Sequence, residues 1–225
     1  VADVGDALTS DPEVAVVGVA PRGGQLGPAL RRQVLECIGA GLDIASGLHT
    51  FLKDDEELVA AAGVSGSRIW DVRFVPDVKL VGSGRGCVSG ARVVFVTGTD
   101  CNVGKMTATV ELVAEARRRG VRAAWAATGQ TGIMLRERGV CVDRVVADFV
   151  SGAAEELVNI EGEGNDIVFV EGQGSLVHPG YAAVTLGLLF GVMPDCMILA
   201  HEPARGNIRR YELELPPLTD HIRLH

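Results

Sequence analysis

The chain has 225 residues, 47% of them hydrophobic, and a formal net charge of −8, enough for one large domain or two small ones whose core needs no staples. No basic stripe exists to displace counterions from a nucleic acid, and no apolar run is long enough to cross a bilayer, so neither partner is expected. Cys37, Cys87, Cys101, Cys141 and Cys196 are scattered without a CxxC or Cys/His cluster, which speaks against a disulfide framework or a zinc site and for a reducing, cytoplasmic setting.

The opening stretch VADVGDALTSDPEV has no basic n-region and no apolar h-region, unlike a signal peptide. Short β-rich runs then alternate with helical stretches, the pattern of an α/β protein with parallel sheets. VAVVGV (14–19) reads as a buried strand running into the loop PRGG (21–24). Residues 28–40 have helical spacing, with Leu30, Val34, Leu35 and Ile38 on one face. LDIASG (42–47) is a second strand and turn; Asp54 is predicted to open a helix through Ala62, closed by Gly63. A third strand is predicted over 69–75, stopped by Pro76. Glycine and serine then dominate from about Val78 to Gly90, as in a linker. The expected organisation is a Rossmann-like α/β domain over 1–80, a linker over 81–91 and a second α/β domain over 92–225.

The second domain restarts with a strand at 92–96, followed by TGTDCNVGKMT (97–107) and a helix from Lys105 to Arg119. Strands at 122–127, 167–170 and 196–200 complete it. A glycine-rich loop between a strand and a helix gathers backbone N–H groups and the helix N-terminus on an anion, while the Lys reaches the phosphates. Gly98, Thr99, Asp100, Cys101, Asn102, Val103, Gly104, Lys105, Met106 and Thr107 are therefore the expected phosphate-binding residues. Met106 stands where such a loop usually has a magnesium-binding hydroxyl. Two further glycine-rich stretches, TGQTG (128–132) and EGQGS (171–175), end strands of their own, so one shared crevice is expected at the carboxyl ends.

The segments at 98–107, 128–132 and 170–175 resemble dethiobiotin synthetase, a P-loop enzyme. Met106 and Ala127 depart from that family at its loop hydroxyl and strand-end Lys, so the resemblance extends to the fold rather than the reaction. GLDIASGLHTFL (41–52), GTDCNVGKMT (98–107), ATGQTGIM (127–134), DFVSGAAEELV (148–158), EGQGSLVHPGY (171–181) and HEPAR (201–205) resemble, in order, the DgcN-type D-glutamate N-acetyltransferase family. That resemblance implies a Rossmann-like N-terminal domain, with further α/β units upstream in family members, and a P-loop NTPase-like C-terminal domain. It implies acetyl transfer to an acidic D-amino acid, with the loop gripping acetyl-CoA. ATP with Mg²⁺, on the dethiobiotin synthetase plan, is the alternative. A homo-oligomer is expected.

Acetyl transfer to an amine needs a base, and a dicarboxylate substrate needs cations. Glu171 and His178, flanking one glycine-rich loop, are both candidates for the base; the alternative for His178 is packing on Pro179 and Tyr181. Asp148 is a candidate ligand or helix cap. Arg22, Ser46, His49, Gln130, Thr131, Gln173 and Arg205 sit in loops or at strand ends and are candidates for substrate binding. Cys101, beside Lys105 and a helix N-terminus, is in a setting that lowers a thiol pKa. No metal ligand set is expected.

Overall fold

The computed structural model describes residues 3–19, 21–77 and 79–225, with Arg22 described in its backbone alone. Val78, at the start of the glycine-rich stretch, and the Arg22 side chain lie outside the described residues. The chain divides into two compact units, Val1–Phe74 and Val75–His225, each an α/β layer structure as the sequence pattern indicates.

The first unit runs α1 (Val4–Leu8), β1 (Val14–Val17), α2 (Pro28–Gly39), β2 (Asp43–Ser46), α3 (Glu56–Ser65) and β3 (Ile69–Asp71). Its three strands pair in parallel in the order β1-β2-β3. Val17, Ile44 and Leu48 pack with Val34 and Ile38 of α2 and Leu58 and Ala62 of α3. The third helix starts at Glu56 rather than Asp54, because Asp55 is the residue that caps it, accepting from the N–H of Glu57 and Leu58. It ends at left-handed Gly66 instead of Gly63. Pairing of β3 stops at Asp71, whose buried carboxylate turns aside to accept the N–H of Leu52 and Lys53.

The second unit holds β4 (Arg92–Gly98), α4 (Lys105–Arg118), β5 (Ala123–Ala126), α5 (Gln130–Arg136), α6 (Val150–Gly162), β6 (Ile167–Glu171), α7 (Ala182–Val192), β7 (Cys196–Ala200) and α8 (Leu218–Leu224). Its strands form an all-parallel sheet in the order β5-β6-β4-β7. Phe95, Val93, Val168 and Val170 meet Ala154 and Val158 of α6 and Leu188 and Val192 of α7 in the core. In-register pairing of Val96 with Glu171 and of Gly98 with Ala200 brings the carboxyl ends of β4, β6 and β7 to one edge. No helix among the described residues is long and apolar enough to cross a membrane.

The glycine-rich stretch before β4 is fastened to α6. Glu155 accepts from the N–H and hydroxyl of Ser83 and from the Arg85 N–H, and Asn159 bonds Val88 and Gly86. Burial pushes the Glu155 carboxyl up, but these hydrogen bonds outweigh it and leave it below its ordinary value. Glu155 lies inside α6 and anchors this strap. Glu155→Ala would leave the part-buried donors of Ser83 and Arg85 without their acceptor, with an expected loss of about 1.5–3 kcal/mol in urea unfolding. Because the folded pKa is depressed, that contribution is present above the ordinary carboxylate range and lost as pH falls through the folded value.

Candidate active site

Residues 98–104 leave the end of β4 and turn into α4. Thr99 N–H bonds the Ala200 carbonyl at 3.0 Å, holding the loop's start to β7. Asn102 (φ 55°) and Gly104 (φ 94°) are both left-handed, the backbone shape that turns successive N–H groups to one side. Gly104 sits at the N-cap without a side-chain cap bond, so the first amides of this 14-residue helix are open to an external acceptor. Lys105 is only 8% exposed. Its Nζ donates to the Asp100 carbonyl at 2.8 Å, and burial holds its pKa below the ordinary value. The Lys105 stem lies against Gly98, where a Cβ would stand 3.1 Å from Cγ and Cδ and 2.7 Å from Val103 Cγ2. Met106 is half-buried and Thr107 exposed.

Asp100 is the loop's internal anchor. Its carboxylate, 0% exposed, accepts from the Cys101 N–H at 2.7 Å, the Arg209 N–H at 2.7 Å and Arg205 Nη1 at 3.0 Å. Arg205 also donates to the carbonyls of Cys101 and Asn102 and pairs with Glu202. The segment after β7 thus braces the loop, and the Arg205 fork is directed at loop oxygens. Thr99 meets His201 Nδ1 at 3.1 Å and Thr97 meets His225 Nε2 at 3.0 Å; fully buried His221 lies in the same region, with no bond to either ring nitrogen.

The Cys101 thiol pKa is raised, not lowered: burial outweighs the positive charge of Lys105. Ligand atoms of Asp100, Cys101 and His178 lie within 4.8 Å of one another. Both Asp100 oxygens already accept from amides or Arg205, which makes the trio a poor cation site. His178 is 2% exposed. Its Nδ1 accepts from Gly180 N–H at 3.2 Å, and its ring stacks on Tyr181 at 4.7 Å and meets Tyr211 edge-on at 5.3 Å.

Glu171 closes β6 beside the loop and is 4% exposed. Burial lifts its carboxyl from 4.5 to about 7, against the Gln173 bond, a Thr128 backbone bond and the charge of Lys105. Gln173 Nε2 bonds Oε1 at 3.1 Å, while Oε2 has no hydrogen-bond partner among the described residues. Ser175 ties this turn to the phosphate loop by donating to the Thr99 carbonyl at 2.9 Å. Lys105, Glu171, Gln173 and Ser175 are therefore gathered at one sheet edge, with His178 against the loop.

The other candidates fall elsewhere. Gln130 and Thr131 are the first residues of α5, half-buried and exposed respectively; the TGQTG stretch follows the end of β5, as expected, and runs directly into that helix. Asp148 is exposed in a short 3₁₀ turn, and the α6 cap position belongs to Phe149, which makes no side-chain cap bond, so Asp148 is not the cap. In the first unit, the 22–24 turn meets His49, whose N–H bonds the Gly24 carbonyl at 2.9 Å. Ser46 is buried at the end of β2 and accepts from the Leu48 N–H. The sequence reading missed Thr128, Arg209, His221 and His225.

Comparison with known proteins matches the same two units. Residues 1–74 match the "Domain of unknown function (DUF1611_N) Rossmann-like domain", and residues 80–225 the "Domain of unknown function (DUF1611_C) P-loop domain". The chain is 39% identical over 204 residues to a D-glutamate N-acetyltransferase of Tritonibacter scottomollicae, covering 91% of this chain and 60% of the relative. It is 37% identical over 194 residues to one from a Pseudoalteromonas species, covering 86% and 58%. A crystal structure of a DUF1611 family protein from Anabaena variabilis superposes with a TM-score of 0.92 at 39% identity, covering all of this chain and 65% of that one. The chain spans about three fifths of the length of these curated relatives. With both family domains matched and identity near 40%, the chain belongs to the DUF1611 family.

Proposed function

We propose that this chain carries the acetyl-transfer site of a D-glutamate N-acetyltransferase, with residues 98–107 gripping the phosphates of acetyl-CoA and Glu171 taking the proton of the attacking amine. The observation that carries this reading is Glu171: a buried carboxyl at about 7, beside a phosphate loop with a buried Lys105 and an uncapped helix start. A group poised near neutrality is matched to proton transfer, whereas a magnesium ligand is best ionised outright. The names of the two relatives supply the substrate and the acyl group.

In this mechanism the amino nitrogen attacks the thioester carbonyl, forming the C–N bond as the C–S bond breaks. Of the two protons that the ammonium gives up, one passes by way of Glu171 to the departing thiolate and the other to solvent. Lys105 and the open amides of α4 hold the cosubstrate phosphates without magnesium.

The test is turnover of acetyl-CoA with D-glutamate, followed by release of free thiol, in the presence of EDTA. Thermal shifts accompany it with acetyl-CoA, and separately with ATP and Mg²⁺; a ligand at a hundred times its Kd stabilises by about 2.7 kcal/mol. Chelator-insensitive turnover and a shift with acetyl-CoA are expected. Activity that needs ATP and Mg²⁺ overturns the reading.

A further inference from the structure

The Glu171 carboxyl has two hydrogen-bonding neighbours, the Gln173 side chain at Oε1 and the Thr128 main-chain N–H. Gln173 Nε2 donates to Glu171 Oε1 at 3.1 Å and to Thr128 Oγ1 at 3.2 Å. Thr128 spends its one hydroxyl hydrogen on the Glu171 main-chain carbonyl, so its oxygen can only accept, and that fixes which end of the Gln173 carboxamide faces the pair. Thr185 holds the Gln173 main-chain carbonyl at 2.7 Å. The wall opposite is glycine: a Cβ on Gly129 would stand 2.5 Å from Gln173 Nε2, and one on Gly132 would stand 2.4 Å from Glu171 Oε2. Both amide hydrogens of Gln173 are thus used, and Oε2 has no hydrogen-bond partner among the described residues.

We propose that Gln173 is a positioning residue that fixes Glu171 by Oε1, so that Oε2 is the oxygen that takes the proton, with Thr128, Gly129 and Gly132 forming the mould that holds Gln173. This rests on Glu171 as the base of the acetyltransferase reading. It gives the invading turn of α5 a chemical purpose: the glycines let helix backbone approach a carboxylate–carboxamide pair that any side chain would displace. The charged group acting on Glu171 from α4 is Lys105; the α5 and β5 side presents Gly132 and Trp125, and the turn after β6 presents Gln173.

Gln173→Glu keeps the shape, removes both donor hydrogens and sets a second carboxyl beside the first, so Glu171 should bind its proton more tightly. The acid limb of kcat/KM is expected to move up by about one pH unit or more, with KM for acetyl-CoA unchanged. The side-chain carboxyl ¹³C resonance of Glu171, assigned through Glu171→Gln, should move its titration midpoint by the same amount. Thr128→Val should act in the same direction, and Thr128→Ser should keep the wild-type profile. If Gln173→Glu fails to fold, Gln173→Ala, which adds no charge, gives the same reading with a smaller upward shift. A Glu171 midpoint unmoved by loss of the Gln173 amide overturns the positioning role. A midpoint that moves while the rate profile does not would leave the Gln173 clamp standing and remove Glu171 as the base.

Discussion

Replacing Lys105 with alanine is expected to raise the KM for acetyl-CoA roughly ten- to hundredfold, the range set by a charge-assisted phosphate bond worth ~1.5–3 kcal/mol. The fold should survive. Lys105 is buried at 8% exposure and among the described residues its ammonium is hydrogen-bonded by the Asp100 carbonyl alone, so burial opposes its charge and removing it relieves a desolvation cost while losing one hydrogen bond. Melting temperature is therefore expected to change little in the free protein, and the stabilisation by acetyl-CoA should shrink. Gly98→Ala provides a second route to the same effect, since a Cβ there would crowd the Lys105 stem and Val103. An unchanged KM in both variants, measured with D-glutamate saturating, would remove Lys105 from the cosubstrate site.

What could be read from the sequence was whatever repeats a period or a spacing. The strand–loop–helix at 92–118 was legible because an apolar run, a glycine-rich turn and a Lys come in that order, and the structure follows it closely. Helix α7 was not, because AAVTLGLLFGV is apolar on every side and offers no polar face to set a period. The TGQTG stretch was legible as the end of the strand before it, and so it is; that its glycines also let α5 pack closely on Glu171 and Gln173 depends on contacts distant in sequence. The stretch at 81–91 reads as a linker because glycine and serine dominate it; what fastens it is Glu155 and Asn159, some seventy residues away, beyond the reach of any local pattern. The Cys101 thiol shows the limit on electrostatics. The neighbouring Lys105 is visible in the sequence, whereas the burial that outweighs it is a property of the fold. Arg205 likewise looked free for a substrate in a five-letter motif, and only the return of the chain after β7 sets it against Asp100.

Glu171→Gln is expected to lower kcat by about 10²–10⁴, the usual range for a lost general base, while the affinity for acetyl-CoA stays close to wild type. In the wild-type enzyme kcat/KM should rise with pH through about 7, the value to which burial lifts this carboxyl, and the variant should lose that limb. Stability should run the other way. The carboxyl binds its proton more tightly folded, at about 7, than unfolded, at 4.5. Its contribution is therefore complete below the unfolded value and is lost as pH rises through about 7, by up to about 3 kcal/mol for a group this buried. Glutamine is neutral throughout, so the variant should unfold at higher urea than wild type at pH 8 and show little difference near pH 5. Loss of activity with gain of stability at alkaline pH marks a carboxylate kept for its chemistry against the preference of the fold. A variant that loses magnesium-dependent nucleotide binding instead would place Glu171 among metal ligands and make the phosphate loop that of an ATP-using enzyme.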